Sequence, residues 1–374
     1  MTGKAGIVGL GLIGGSLAKS LKMKCGFTRI SAADHSLTSL EQAKKDGIAD
    51  EYAVESDLSA ETLRQLFHDC EVVFLCTPVD RIPAYAGRLI RVISPDCILT
   101  DVGSTKTSIY RYMSDKAPAC FIGGHPMAGS EKTGYINATH FLFENAYYVL
   151  TPMPWVPETA IGRLTQIVEQ IGAIPMRMPP GAHDAAVAAV SHTPHVIASA
   201  LVNMIKSLDK SGDLHALAAG GFKDLTRIAS SGAEIWQAIC LENRDELLNV
   251  LHSFMDILQL FVSRLNNAER EGISEFFNEA KAYRDSFINK AAGAYNRRFE
   301  IRVDVEDKPG IIATVAAILS FNGINIKNIG ILNNREYENG ILQIVFDDEK
   351  ALKNSSELLR RMNFTVYDQT ETGV

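Results

Sequence analysis

Short apolar runs alternate with amphipathic stretches over the first half of the chain. The runs have the length of β-strands and lie at residues 5–9, 29–34, 71–78, 97–102, 119–123, 147–151 and 174–178. Several of them are apolar throughout, as strands covered on both faces are. The alternation predicts βαβ units that build a largely parallel sheet, a Rossmann-like α/β domain, over residues 1–179.

The pattern changes after the prolines at positions 179 and 180. Residues 182–292 contain no strand-like run, and apolar positions recur there at helical spacing. One continuous stripe consists of Leu247, Leu248, Leu251, Phe254, Met255, Leu258 and Val262. We interpret this stripe as the core of a helical bundle, with a dimer surface as the alternative, and predict an all-α domain over residues 180–292.

The C-terminal part of the chain alternates again, in a different order. The pattern predicts a strand at 298–305, a helix at 310–321, strands at 325–332 and 340–346, a helix at 350–362 and a strand at 365–368. This βαββαβ order is that of the ferredoxin-like fold. We therefore predict a third domain over residues 298–370, and a chain of 374 residues is long enough for three.

The composition excludes several classes of protein. With 46% hydrophobic and 22% charged residues the chain is typical of a globular protein, and its net charge of −7 argues against nucleic-acid binding. Six cysteines are scattered without a CxxC pair, so we expect neither a disulfide framework nor a metal site. We find no signal peptide and no apolar run near the roughly 18 residues of a membrane span. These features predict a cytoplasmic protein that binds no membrane.

A glycine-rich turn directly follows the first predicted strand and opens a helix. Gly9, Gly11 and Gly14 have the spacing of a dinucleotide-binding turn, where the start of a helix attracts a pyrophosphate. Asp34 ends the second predicted strand, where a carboxylate can accept the hydroxyls of a ribose. No arginine follows at 35–38 to neutralise a 2′-phosphate, so we expect NAD rather than NADP. The predicted cofactor contacts are Gly9, Gly11, Leu12, Ile13, Gly14, Asp34, Thr77 and Pro78.

Candidate reacting groups follow the later strands, whose carboxyl ends face the ligand crevice in sheets of this type. His125 lies between two glycines and a proline, on stiff backbone that suits a general base. Ser104 follows the run at 97–102 and could hydrogen-bond the ring of His125. These two residues are the catalytic candidates.

The helical segment supplies two further pairs of polar residues. His192 and His195 share a helix face, and so do Asp224 and Arg227, which can form an ion pair at this spacing. An arginine that faces a cleft is a natural clamp for a carboxylate, because its planar fork bonds both oxygens. Arg227 is therefore a candidate for substrate binding.

With these motifs the chain resembles the prephenate dehydrogenases, the enzymes of the oxidative branch of tyrosine synthesis. The resemblance rests on GLGLIGGSLA at 9–18, DVGSTK at 101–106, GGHPMAGSEKTG at 123–134, SHTPH at 191–195 and GGFKDLTRIA at 220–229. Thr193 departs from the aliphatic residue that this family often has. The C-terminal part is similar to an ACT domain, a regulatory module that binds amino acids, in its segments DKPG at 307–310 and FNGINI at 321–326.

The resemblance implies NAD-dependent oxidative decarboxylation of prephenate to 4-hydroxyphenylpyruvate in L-tyrosine biosynthesis. It implies that His125 is the base, that Ser104 orients it and the substrate, and that Arg227 binds the ring carboxylate. His192 and His195 would then line the pocket near the side-chain carboxylate. The implied substrate-binding residues are Ser130, Glu131, His192, His195, Asp224 and Arg227, with Glu131 and Asp224 holding the arginine in place.

The ACT resemblance implies an effector site for L-tyrosine. Three alternatives remain open for the C-terminal domain and for the protein as a whole. The implied effector-binding residues are Asp307, Pro309, Gly310, Asn322 and Asn325. A homodimer through the helical domain is expected, and the C-terminal domain could instead serve dimerisation alone. Arogenate dehydrogenase is the alternative enzyme, and a catalytically silent sensor of NAD and an amino acid is the alternative from another class. A general base would serve no purpose in such a sensor.

Overall fold

The computed structural model describes residues 3–129, 132–290, 299–306, 308–332 and 339–368. The chain divides into two compact units, Met1–Leu260 and Phe261–Val374. Our division into three domains, at 1–179, 180–292 and 298–370, remains a prediction.

Eight strands form one sheet in the first unit. They are β1 (Lys4–Val8), β2 (Arg29–Asp34), β3 (Glu51–Val54), β4 (Val72–Leu75), β5 (Ile98–Asp101), β6 (Phe121–Pro126), β7 (Tyr147–Pro152) and β8 (Ile174–Arg177). The order across the sheet is β3-β2-β1-β4-β5-β6-β7-β8, and every neighbouring pair is parallel except β6 and β7. The predicted Rossmann-like, largely parallel sheet is confirmed, and all seven predicted strands are present.

Strand β3 is the element that the hydrophobic pattern missed. It consists of four half-buried residues at the edge of the sheet, paired with β2 alone. An edge strand is covered on fewer sides than a central one, so it needs no continuous apolar run. By contrast, β1, β4 and β5 are buried along their whole length.

Helices connect these strands, and the order of the sheet reverses between β1 and β4. The helices are α1 (Leu12–Met23), α2 (Leu37–Lys45), α3 (Ala60–Phe67), α4 (Ile82–Leu89), α5 (Thr107–Lys116) and α6 (Glu158–Gln170). Since the chain leaves β1 in one direction along the sheet and returns to β4 on its other side, a crevice forms at the carboxyl ends of these two strands. Ligands of doubly wound sheets bind in this crevice.

The rest of the first unit is helical, as predicted. Its helices are α7 (Pro180–Val187), α8 (Thr193–Leu208), α9 (Asp213–Leu217), α10 (Gly220–Thr226), α11 (Ala233–Glu242) and α12 (Arg244–Asn266), the last of which continues into the second unit. A π-helical turn at Ala188–His192 joins α7 to α8. The N–H of Thr193 donates to the carbonyl of Ala188, and the following Pro194 has no N–H to give the carbonyl four residues earlier.

One segment, Pro180–Leu208, is long and apolar enough to cross a membrane by length and composition alone. A single such helix is weak support for a membrane span, because core helices of soluble proteins pass the same test. His183, Asp184 and His192 on this segment are buried and hydrogen-bonded to other elements of the unit. These polar contacts hold part of the segment against the rest of the unit, while 28% of its apolar window is buried.

The apolar stripe on α12 is not a core within the single chain, so our bundle-core interpretation is wrong. Leu247 is buried, but Leu248, Met255, Leu258 and Val262 are each about half exposed. Periodicity reports that one helix face is apolar, and it does not report what covers that face. The exposed stripe favours the alternative interpretation, a surface for a second chain.

The described part of the second unit contains α13 (Arg270–Lys290) and a separate antiparallel sheet. The remaining elements are β9 (Glu300–Glu306), α14 (Ile311–Phe321), β10 (Asn328–Leu332), β11 (Asn339–Val345), α15 (Glu349–Arg361) and β12 (Thr365–Asp368). The strand order is β10-β11-β9-β12, around a core that includes Ile301, Val303, Val315 and Leu319. The predicted βαββαβ plan is confirmed.

Candidate active site

The turn between β1 and α1 is built so closely that two of its positions require glycine. Gly9 has a φ of +94°, and a Cβ there would lie 2.6 Å from the carbonyl oxygen of Cys76 at the end of β4. A Cβ at Gly14 would lie 1.9 Å from the carbonyl oxygen of Gly9. These contacts pack the start of α1 directly onto the ends of β1 and β4.

Gly11 is different, because a Cβ at this position would meet no atom within 4 Å. The open space adjoins the first turn of α1, whose N–H groups have no partner within the helix. Thr77, after β4, has a buried hydroxyl without a hydrogen-bond partner in the described part of the chain. The glycine cradle, the helix start and this hydroxyl together fit a pyrophosphate.

Asp34 ends β2, as predicted, and it also has a role that the sequence did not reveal. Its carboxylate accepts the N–H of Leu10 in the glycine turn and the N–H of Ser36, 2.7 Å away. The carboxylate therefore holds the turn in place. Each oxygen has a second lone pair, which leaves acceptor capacity for a ribose hydroxyl.

A buried ion pair supports the next two segments of the crevice. The Asp101 carboxylate pairs with Lys106 and accepts the N–H groups of Gly103, at 2.8 Å, and Gly124, at 3.2 Å. Burial lowers the pKa of Lys106, and the nearby carboxylates of Asp101 and Asp184 oppose that shift. Asp101 thus joins the loop after β5 to the strand that carries His125.

His125 lies near the end of β6 and is half-buried. Its Nδ1 is 2.8 Å from Nε2 of His183, and it makes no hydrogen bond with the half-buried Ser104 in the part of the chain that the structure describes. Burial lowers the pKa of His125 well below its usual range, and His183, Lys106 and His192 act in the same direction. The ring is therefore neutral at neutral pH, as a general base must be.

His183 and Asp184, in α7, are site residues that sequence reasoning missed. Nδ1 of His183 is 2.8 Å from Oδ1 of Asp184, and both residues are buried. The Asp184 carboxylate also accepts the N–H groups of Lys106 and Thr107, each at 2.7 Å, at the start of α5. A histidine and an aspartate side by side in the middle of an otherwise apolar helix were the available indication.

Trp236, on α11, contacts both of the histidines that we predicted to share a helix face. His195 stacks on its ring at a centroid distance of 3.9 Å, and His192 meets it edge-on at 5.9 Å. The predicted shared face of the two histidines is confirmed. Nδ1 of His195 lies 3.0 Å from the carbonyl of Ser191, which can only accept, so Nδ1 carries the hydrogen.

His192 is buried and held in one tautomer by Asn243. The amide nitrogen of Asn243 donates to the carbonyl of Asp184 at 2.9 Å and to Nδ1 of His192 at 3.1 Å. Burial lowers the pKa of His192 to about 4, against an opposing effect of Asp184. The neutral ring therefore carries its hydrogen on Nε2 and can donate it to an anionic ligand.

The predicted carboxylate clamp lies at the surface. Asp224 is near the end of α10, and Arg227 begins the following 3₁₀ turn, Arg227–Ser230, which packs against α8. Both side chains are exposed. Ser130 and Glu131 lie outside the described residues, and the roles of all four remain predictions.

Within the described part of the chain, the predicted effector residues do not form one cluster of contacts. Gly310, with a φ of +88°, precedes α14, whereas Asn322 caps its other end and bonds the carbonyl of Ile318. Asn325 bonds Asp347, and Asp307 lies outside the described residues. Beside the turn at Pro309 and Gly310 is a cavity of about 280 Å³, lined by Asp304, Val305, Glu306, Lys308, Ile311, Asn363, Phe364 and Thr365.

Family models match three parts of the chain. Residues 17–176 match the nucleotide-binding domain of prephenate dehydrogenase, and residues 179–279 match the dimerization domain of prephenate dehydrogenase. Residues 301–365 match an ACT domain like that of the AHAS small subunit. The three matches follow the order of the elements described above.

Individual relatives agree with these matches. Prephenate dehydrogenase of Bacillus subtilis is 35% identical over 357 residues, which are 94% of each chain. A structure of prephenate dehydrogenase from Aquifex aeolicus with hydroxyphenyl propionate and NAD⁺ is 30% identical, with a TM-score of 0.72, over 77% of this chain and 99% of that one. Arogenate dehydrogenase from Synechocystis is 31% identical, with a TM-score of 0.65, over 76% and 99%. The chain belongs to the prephenate dehydrogenase family.

Proposed function

We propose that this protein oxidises and decarboxylates prephenate to 4-hydroxyphenylpyruvate, with NAD as the hydride acceptor. One observation carries the proposal: the half-buried imidazole of His125, whose pKa burial lowers, lies at the carboxyl edge of the sheet that also forms the dinucleotide turn. A sensor that only binds NAD would need no base there. Family membership agrees with this chemistry.

The residues around the glycine turn fit NAD. The start of α1 and the open space at Gly11 would take the pyrophosphate, Thr77 would donate its free hydroxyl, and Asp34 would accept ribose hydroxyls. When bound, NAD supplies the nicotinamide ring that accepts a hydride. No arginine stands at 35–38 to compensate the charge of Asp34 against a 2′-phosphate, so NAD is preferred over NADP.

His125 moves the proton of the reaction. Its Nε2 accepts the proton of the ring hydroxyl while the carbon that bears this hydroxyl loses its hydride. The ring carboxylate then leaves as carbon dioxide, and the electron pair of the broken bond makes the ring aromatic and places negative charge on the oxygen. That oxygen takes back a proton, which His125 holds, so the reaction releases no net proton.

The helical part of the first unit binds the two carboxylates of prephenate. Arg227 holds the ring carboxylate and takes ionic support from Glu131 and Asp224, and Ser104 and Ser130 hydrogen-bond the substrate. His192 donates from Nε2, and His195 lies beside it on Trp236, which places both near the side-chain carboxylate. Arogenate carries an ammonium group where prephenate has the side-chain ketone. Neutral histidines bind an ammonium group less well than carboxylates do, so this pocket favours prephenate.

The second unit and the exposed helix face support regulation and assembly. We take the ACT domain as a sensor of L-tyrosine and the apolar face of α12 as part of a homodimer contact, in agreement with the family description of residues 179–279 as a dimerization domain. A cytoplasmic location fits the six free thiols.

The experiment that tests this function is an assay of NAD reduction with prephenate and, separately, with arogenate. We expect turnover with prephenate, formation of 4-hydroxyphenylpyruvate, and a much lower kcat/KM with arogenate. NADP should replace NAD poorly. Preference for arogenate would reassign the substrate, and absence of turnover with both compounds, with NAD binding retained, would favour the sensor.

A further inference from the structure

We infer that His183 and Asp184 are positioning residues that hold His125 in the tautomer and orientation that a base requires. This inference rests on the proposed function of His125, and it concerns two residues that no motif in the sequence identified.

Asp184 is an ionised carboxylate that can only accept hydrogen bonds. Burial alone would raise its pKa, but hydrogen bonds from His183, Thr107 and Lys106 outweigh burial, and the pKa is lowered. The two backbone donors belong to the start of α5, where the helix dipole also favours a negative charge. The carboxylate is 2% exposed, so no water competes freely for its oxygens.

The state of Asp184 sets the tautomer of His183. Because the carboxylate can only accept, Nδ1 of His183, 2.8 Å away, must carry a hydrogen. In the neutral ring Nε2 is then the bare nitrogen and acts as an acceptor. His183 is completely buried, so its ring has no freedom to turn toward solvent.

The tautomer of His183 in turn sets that of His125. Nε2 of His183 lies 2.8 Å from Nδ1 of His125 and accepts its hydrogen. The lone pair of His125 is therefore on Nε2, at the side of the ring away from His183, where it can take the proton of the substrate. After that transfer the two hydrogen bonds remain in place and stabilise the imidazolium through the negative charge of Asp184.

The arrangement also links the two halves of the first unit. His125 and the start of α5 belong to the sheet half, whereas His183 and Asp184 belong to the helical half. The same contacts that orient the base thus fix it relative to the helices that carry His192 and His195. Side chains that only filled space would not need two hydrogen bonds that run in the same direction, from His125 to His183 and from His183 to Asp184.

Three substitutions test the positioning role by splitting kcat from KM. Asp184→Asn keeps the size of the side chain but removes the negative charge that stabilises the imidazolium of His125, and its amide N–H faces one of the N–H groups that the carboxylate accepts. His183→Asn keeps only the hydrogen bond toward Asp184. His183→Gln places an amide oxygen near the former Nε2, where it can accept from His125. We expect kcat to fall about 10²- to 10⁴-fold in the first two variants and by less than about tenfold in His183→Gln, with KM for prephenate and Kd for NAD near the wild-type values.

Matched controls separate positioning from folding. Asp348 caps α15 through the N–H of Ala351, so Asp348→Asn makes the same chemical change at a helix start outside the site and should leave kcat unchanged. Thermal melting of each variant reports its stability. If Asp184→Asn fails to fold, the His183→Gln and His183→Asn pair decides the question, because both remove the same imidazole.

A measurement on the unaltered protein needs no variant. In ¹⁵N spectra of the histidine rings at neutral pH, His125 should carry its hydrogen on Nδ1, and the opposite tautomer would overturn the inference. Folded Asp184→Asn and His183→Asn enzymes with kcat within about threefold of wild type would also overturn it. Failure of the proposed function looks different: wild-type protein would not turn over prephenate, or His125→Ala would remain active.

Discussion

At the scale of the residue, protonation states in this site follow from burial and hydrogen bonding. His125 and His192 are both neutral because burial penalises the charged ring, and each has one nitrogen engaged by a neighbour. The two rings therefore differ in the nitrogen that each leaves available. His125 donates to His183 and keeps a basic Nε2, whereas His192 accepts from Asn243 and offers a donor.

The lowered pKa of His125 predicts the pH dependence of activity. The base must be neutral, and its folded pKa lies below the usual 6.5, so the active form persists as the pH falls through 6.5. We expect the acid limb of kcat/KM for prephenate below pH 6.5, where the free enzyme loses its base. The ring of His68 bonds the carbonyl of Val92, outside the site, so a His68→Ala control variant should give the same pH profile as the unaltered protein. An acid limb above pH 6.5 would contradict the prediction.

The carboxylate clamp predicts a selective loss of substrate binding. Arg227→Ala should raise KM for prephenate by about 10-fold or more, since a hydrogen bond to a charged group typically contributes about 1.5 kcal/mol or more. Kd for NAD should hardly change, and Arg227→Lys should recover only part of the loss because it lacks the planar fork. Steady-state kinetics measure both values. Exposed Arg64 on α3 provides the matched arginine-to-alanine control, and a normal KM in Arg227→Ala would leave Arg227 as a surface residue.

At the scale of the element, the turn between β1 and α1 combines two different uses of glycine. Gly9 and Gly14 are needed for packing, because a side chain would meet backbone atoms at 2.6 and 1.9 Å. Gly11 faces open space and is needed only if a ligand approaches. Substitutions within these six residues can therefore change the stability of the protein and its binding of the cofactor separately.

This separation predicts opposite results for two alanine substitutions. Gly14→Ala should lower the free energy of unfolding by about 1 to 3 kcal/mol, as overpacking does, and weaken NAD binding because α1 must shift. Gly11→Ala should leave the stability of the ligand-free protein unchanged but weaken NAD binding by about 5-fold or more, since its methyl group enters the cradle. Denaturant melts and NAD titration test the pair. Equal stability of the two variants would refute this division of roles.

At the scale of the whole molecule, the unit with the parallel sheet and the ACT domain have separate hydrophobic cores. The first core surrounds the parallel sheet, and the second, which includes Ile301 and Leu342, belongs to the antiparallel one. Each module can thus fold around its own apolar residues. Regulation then requires coupling between modules, which allosteric proteins typically achieve with about 1 to 3 kcal/mol.

A shortened chain tests the proposed regulation by L-tyrosine. In the full chain, tyrosine should shift the apparent affinity for prephenate by about 5- to 150-fold, and by linkage prephenate should weaken tyrosine binding by the same factor. A chain that ends near Ala294 should retain dehydrogenase activity and lose this response. If it stays as sensitive as the full chain, tyrosine competes at the active site and the regulatory assignment is wrong. Phenylalanine serves as the control amino acid.

The order of the elements was readable from local pattern, because apolar spacing reports which face of an element is buried. Both sheets, the helical segment and the positions of His125, Gly9, Gly14 and Asp34 follow from such spacing and from turn chemistry. Strand β3 escaped detection because an edge strand carries a weaker pattern. The stripe on α12 was seen but misinterpreted, since periodicity does not specify what covers a face.

The partners of the site residues could not be predicted in the same way, because they lie far apart in sequence. His125 and His183 are 58 residues apart, and the N–H of Lys106 reaches a carboxylate 78 residues away. Local sequence preferences do not specify such long-range contacts, which form when the helical segment packs against the sheet. The residue types that chemistry requires are therefore visible along the chain, whereas the tautomers and pKa shifts that make them reactive come from long-range packing in a dry interior.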